Sequence, residues 1–116
     1  MMKVALTAQG PGPQSPLDER FGRCRYVIVA DDSGQIIKGV PNPGLDDPSG
    51  AGVGMAQFLA DEGVSAVITG RVGPKAERAL DAARISVFLA PPGTVSDALA
   101  AFKRGALTRL SDQKRS

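Results

Sequence analysis

The feature that most constrains this chain is an alternation in its second half, where three helix-like stretches are separated by short apolar runs. The runs "SAVITG" (65–70) and "ISVFLA" (85–90) are β-branched, apolar and too short for buried helices, so they read as strands. From Gly50 to about Glu62 the period becomes helical, with Val53, Ala56 and Ala60 on one face, Met55 and Leu59 beside them, and Gly63 as the stop. Pro74 opens a second helix, in which Ala76, Ala79, Leu80 and Ala83 fall at i, i+3, i+4 and i+7. Lys75, Glu77, Arg78, Asp81 and Arg84 take its other face. Thr94 with Asp97 forms a capping box for a third helix, whose apolar face is Val95, Ala98, Leu99 and Phe102 and whose end is Gly105. Strands that alternate with helices make parallel sheets with right-handed crossovers.

The first half adds "KVALTA" (3–8), "YVIVAD" (26–31) and "QIIKGV" (35–40), the last two joined by the hairpin turn "DDSG". The order is therefore β-β-β-α-β-α-β-α. It predicts an α/β domain with a mixed five-stranded sheet. Strands one, three, four and five run parallel, and the second lies antiparallel between one and three. At 116 residues the chain has the length of one domain, expected over 1–107. The segment "TRLSDQKRS" (108–116) has no periodicity and is expected to be a frayed tail.

Composition removes several function classes. Aromatic residues are 4% of the chain, Trp is absent and the net charge is +2, which argues against a nucleic-acid binder. No apolar run approaches the roughly 18 residues of a membrane span, and the N-terminal apolar run is short for a signal segment. A single cysteine, Cys24, permits no internal disulfide, so a cytoplasmic location is expected. His is absent, which removes the commonest general base and imidazole metal ligand.

The stretch "PSGAGVGMA" (48–56) resembles a dinucleotide fingerprint at first sight. Such a fingerprint follows a strand directly and needs an acid at the end of the next strand. Here a long loop, "PNPGLDDPS", precedes Gly50, and the next strand ends in Thr69-Gly70. No Gly-Lys-Ser/Thr follows, so a phosphate loop is excluded as well. The glycines can still permit close packing and expose amides at a helix start, where anions bind. The C-terminal edge of the parallel strands gathers loops 8–20, 41–50, 70–74 and 90–94 and all three helix starts. It also collects Arg20, Arg23, Arg25, Arg71 and Lys75. An anionic ligand is expected there.

The segments "SPLDERFGRCRYVIVAD", "NPGLDDPSGAGVGMAQFLADEGVSAVITGRVGPKAERAL" and "GTVSDALAAFKRGAL" resemble the nitrogenase iron–molybdenum cofactor carrier and biosynthesis family. The resemblance runs from about Lys3 to Leu107, carried by "FGR", "GAG" and "ITGxVGP" in order. It implies a ribonuclease-H-like, three-layer α/β/α fold and non-enzymatic binding, storage or delivery of a molybdenum-containing sulfide cluster, Mo–Cu–S or Mo–Fe–S. A protein donor or acceptor of the cluster is implied too. Nuclease chemistry does not come with the fold. The strand ends Thr7-Ala8 and Thr69-Gly70 carry no carboxylates. Where many relatives have a His before the glycine-rich helix start, Ser49 stands here.

The candidate site is thus Arg20, Arg23, Cys24, the helix start Ser49, Gly50, Ala51 and Gly52, and the loop Arg71, Val72 and Gly73 with Lys75. Cys24 is the one candidate metal ligand, a soft thiolate whose neighbours Arg23 and Arg25 would lower its pKa. It could equally be a small hydrophobe at a strand start. Arg20 or Arg23 could instead pair with Asp18 or Glu19, and Lys75 could be a solvated helix residue. Phe21 is expected in the core, and Asn42 as a loop brace. Two other functions stay open: a cofactor-free regulatory or adaptor module, and a nucleotide or small-anion binder.

Overall fold

A computed structural model describes residues 2–111 of the chain. Its elements are β1 (Lys3–Ala8), β2 (Tyr26–Asp31), β3 (Ile36–Pro41), α1 (Ala51–Asp61), β4 (Val64–Thr69), α2 (Pro74–Ala82), β5 (Ser86–Leu89), α3 (Val95–Lys103) and β6 (Thr108–Arg109). The expected elements are present with ends displaced by a residue or two.

The sheet order is β3-β2-β1-β4-β5-β6. β2 is antiparallel to both β1 and β3, whereas β4 is parallel to β1 and β5 to β4. The directions expected for the first five strands are therefore observed. The sheet has six strands rather than five. β6 pairs antiparallel with β5 through Phe88 opposite Arg109 and Leu89 opposite Thr108. Those two residues fall in the segment expected to fray, and Leu110 packs against the core beside them. Two residues carry no periodicity for a sequence to display, and the open edge of β5 supplies the hydrogen-bond partners. The rest of the expected tail, residues 112–116, lies outside the described residues.

Alternation along the strands builds two apolar layers. Ala5, Val27, Val29 and Val67 pack with Met55 and Leu59 of α1 and Ala76 and Leu80 of α2. Val4, Leu6, Ile28, Ala30 and Ile68 pack with Val95, Ala98 and Leu99 of α3. Helices thus cover both faces of the sheet. Each fully buried Val, Leu or Ile contributes about 1.5–3 kcal/mol, so these two layers are the main source of the fold's stability. Among the described residues no helix is long and apolar enough to cross a membrane.

Candidate functional site

α1 and α2 begin side by side because their first turns meet through small residues. A β-carbon on Gly52 would stand 2.7 Å from that of Ala76, and one on Gly22 would stand 2.7 Å from the Gly52 amide nitrogen. The glycines after Ser49 therefore do serve close packing. Gly50, the α1 N-cap, has φ 115°, and neither it nor Gly73, the α2 N-cap, offers a capping side chain. The amides of Ala51, Gly52, Val53, Lys75 and Ala76 consequently have no acceptor among the described residues. Unsatisfied amides and the helix dipoles leave this place electropositive.

A cavity of about 360 Å³ opens over the two helix starts, lined by Gly22, Arg23, Ser49, Gly50, Ala51, Gly52, Val53, Gly73, Pro74, Lys75 and Ala76. A neighbouring hollow of about 340 Å³ adds Arg20, Phe21, Arg71 and Val72, sharing Gly22, Arg23 and Gly73 with the first. Every candidate site residue except Cys24 lines one or the other. Sequence reasoning missed Gly22, Val53, Pro74 and Ala76 as lining residues, and Phe21, which it placed only in the core, also lines the second hollow. Val53 and Ala76 carried the signal, since both sit in the first turn of a helix whose start had been singled out.

The cations differ in what they face. Arg20 is held by Asp18, its Nε and Nη2 each donating to the carboxylate at 3.2 Å, which raises its pKa further. Asp18 is buried, and its Oδ1 also accepts the Arg20 amide at 3.0 Å. Arg71 lies 3.8 Å from Glu19, both side chains exposed. Arg23 and Lys75 have no carboxylate partner among the described residues. Arg25 lines neither hollow.

Two expectations need correction. Only two helix starts, not three, serve this place. The start of α3 is closed by its own capping box, Thr94 with Asp97, and its Val95 and Ser96 amides donate to Ser15 and Pro13 carbonyls at 2.9 Å. α3 also covers the opposite face of the sheet. The second correction concerns Cys24. It is fully buried, and its thiol donates to the Phe21 carbonyl at 3.3 Å. Burial pushes its pKa up to about 12, with Asp18 adding to the rise, and the lowering by Arg20 is the smallest contribution. Arg23 and Arg25 do not acidify it, because both project from the surface while the thiol points into the core. To bind a metal, the sulfur would have to leave that core.

The site is braced from beneath. The Thr7 hydroxyl donates to the Asp18 carbonyl at 2.6 Å and lies 2.8 Å from the Thr69 hydroxyl. The Arg71 amide donates to Glu19 at 2.7 Å and the Phe21 amide to Arg71 at 3.2 Å. Phe21 is in the core as expected, 1% exposed. Asn42 braces two loops, its Nδ2 donating to Gly22 and Cys24 carbonyls at 2.9 Å and its Oδ1 accepting the Gly44 amide at 2.8 Å.

The donor set decides the chemistry. Among the described residues no three His, Cys, Asp or Glu side chains converge to hold a metal ion. The cavity over α1 and α2 offers amides, an Arg, a Lys and apolar walls, and no carboxylate among its lining residues. A bare cation would find no carboxylate, thiolate or imidazole there. A further hollow of about 440 Å³ runs along the length of α3, from Ser96 to Lys103 and Arg104, and Lys103 there already donates to the Ser33 carbonyl at 2.7 Å.

Known proteins share this fold. The chain is 39% identical to the apo form of the orange protein from Desulfovibrio gigas, with a TM-score of 0.84 over 93% of this chain and 92% of that one. A NifB-like protein from Thermotoga, solved by NMR, is 35% identical with a TM-score of 0.82 over 96% and 95% of the two chains. An uncharacterized protein of Methanocaldococcus jannaschii is 30% identical over 113 residues, 95% of this chain and 92% of its own length. The sequence model of the dinitrogenase iron-molybdenum cofactor family matches residues 2–105. With a model match over nearly its whole length and relatives this similar in sequence and fold, the chain belongs to the dinitrogenase iron-molybdenum cofactor family.

Proposed function

We propose that this protein binds, stores or delivers an anionic molybdenum-containing metal–sulfur cluster, of Mo–Cu–S or Mo–Fe–S type, and catalyses no reaction on it. The cluster is cargo, held without covalent bonds in the cavity over α1 and α2. The observation that carries this reading is the pairing of two uncapped helix starts with Arg23 and Lys75, which have no carboxylate partner among the described residues. Amides and cations suit a particle whose metals are already saturated by sulfide and whose surface is negative. Apolar walls from Val53, Pro74 and Ala76 suit sulfide, which is weakly hydrated, better than a strongly hydrated oxyanion. Arg20, Arg71 and Val72 in the adjoining hollow extend the positive field. Cys24 contributes packing rather than ligation.

The strand order β3-β2-β1-β4-β5 supports the ribonuclease-H-like assignment. The strand ends that would carry nuclease carboxylates hold Thr7 and Thr69 instead. Delivery implies a protein donor or acceptor that meets the chain over the open cavity.

Tetrathiomolybdate, alone and with Cu(I), is the direct test. Purified protein should bind it with a change in visible absorption, and should bind molybdate, NAD and ATP at least about tenfold more weakly. Tight binding of a nucleotide with none of thiomolybdate would overturn this function. Binding of neither, with capture of a protein partner, would favour a cofactor-free adaptor.

A further inference from the structure

The geometry points to Asn42 as a positioning residue of this site. Its carboxamide fastens the loop that bears Arg23 to the loop that backs the start of α1, so that Arg23 and the free α1 amides face one cargo together. The inference rests on the reading of the cavity as a cluster site and adds which buried group sets its shape.

Asn42 follows β3 directly and is 7% exposed. Its Nδ2 donates to the Gly22 and Cys24 carbonyls, each at 2.9 Å, and lies 3.7 Å from the Cys24 sulfur. Those carbonyls flank Arg23. Its main-chain amide donates to Arg25 at 2.9 Å, so the segment 22–25 is tied from several sides. In the other direction its Oδ1 accepts the Gly44 amide at 2.8 Å. Gly44 lies against the first turn of α1, where a β-carbon would stand 2.7 Å from the Ala51 carbonyl oxygen and 2.8 Å from the Gly54 carbonyl carbon. Among the described residues no other side chain bonds to both loops.

Only Asn meets these demands at this reach. Two donors and one acceptor are needed on a short stem. Asp would set a carboxylate against two carbonyls, and Gln would push the amide a methylene too far. Arg23 is exposed and its own side chain has no partner among the described residues, so its direction depends on the backbone that carries it.

The test combines a ligand-free readout with a double-mutant cycle on the full chain. In the apo protein, Asn42→Ala should lower backbone NMR order parameters of residues 22–24 from about 0.85 to below about 0.6, with β1, β4 and α3 unchanged. In tetrathiomolybdate titrations below the melting point, Arg23→Gln should weaken binding about fivefold in the otherwise native chain. In the Asn42→Ala background the same change should cost less than about twofold, because a misdirected Arg23 has little left to lose. A residue that merely stabilises the fold would lower the melting temperature yet leave loop order and the Arg23 effect intact. Unchanged order with equal Arg23 effects in both backgrounds overturns the proposal. Should Asn42→Ala not fold, the native chain decides: the Asn42 side-chain amide signals should move together with Gly52 and Arg23 on titration, and silence there overturns the role. Failure of the native chain to bind thiomolybdate overturns the cluster reading, while the apo order parameters still decide whether Asn42 positions the loop.

Discussion

Gly52 of α1 and Ala76 of α2 meet so closely that a β-carbon on the glycine would stand 2.7 Å from the Ala76 β-carbon. Two rigid methyl-bearing positions cannot share that space. Gly52→Ala gains about 0.5–1 kcal/mol in helix propensity but overpacks the crossing by about 1–3 kcal/mol, and the clash wins. The variant should have a lower urea midpoint, and Ala76→Gly in the same chain should restore part of it. A stabilised Gly52→Ala protein would show that the helices move apart without cost.

Charge, rather than the thiol, should govern affinity. Reversing Arg23 or Lys75 to Glu should weaken tetrathiomolybdate binding by about five- to tenfold, more at low salt than at high salt. Arg71→Glu should cost less, because Arg71 already faces Glu19 at 3.8 Å. Cys24→Ala should bind within about twofold of the native chain, since a buried residue without cargo contact couples weakly to it. Absorption titrations at two salt concentrations check all four variants. Loss of binding with Cys24→Ala, indifferent to salt, would establish ligation instead.

The Cys24 thiol gives stability a pH dependence of definite sign. Burial raises its folded-state pKa from 9.0 to about 12, so the unfolded chain loses this proton first as pH rises. Its contribution is complete below pH 9.0 and is lost progressively between there and about 12. Denaturation curves from pH 8.5 to 11 should fall more steeply for the native chain than for Cys24→Ala. The difference should approach about 1.4 kcal/mol per pH unit at most. Parallel curves would mean the thiol ionises in place.

Arg84 ends α2 with φ 61°, a left-handed conformation that glycine adopts without steric cost. The Ile85 amide reaches back to the Leu80 carbonyl at 2.9 Å, completing the helix end. Arg84→Gly should therefore raise stability by about 0.5–1 kcal/mol in urea denaturation. A loss would reveal that the Arg side chain holds the helix end in another way.

Truncation after Leu107 should now be costly, against the expectation drawn from the featureless tail. It removes the β5–β6 pairing and the packing of Leu110. A loss of about 1 kcal/mol in a domain of this size lowers the melting temperature by several degrees, measurable by calorimetry. An unchanged transition would make β6 dispensable.

Much of this protein is written locally. The periods of Val53-Ala56-Ala60 and Ala76-Ala79-Leu80-Ala83, the Pro74 start and the Thr94–Asp97 box each specify an element from residues within a turn or two. Parallel strand direction then follows from crossover handedness. The basic residues of the site and its glycine-rich helix start were legible for the same reason, since composition at a strand end is a local fact. What only the tertiary structure decided depends on contacts distant in sequence. Beside Arg23 and Arg25 in the chain, Cys24 reads as acidified, yet the turn leading into β2 buries the thiol and leaves both guanidiniums exposed. The third helix start is closed by Ser15 and Pro13 carbonyls that accept its amides, partners far away in the sequence. β6 has no pattern of its own and exists because β5 leaves an edge to pair with. Charge and periodicity are properties of a stretch of chain. Burial, and with it the pKa of a thiol or the freedom of an amide, belongs to the packing of stretches that the sequence holds far apart.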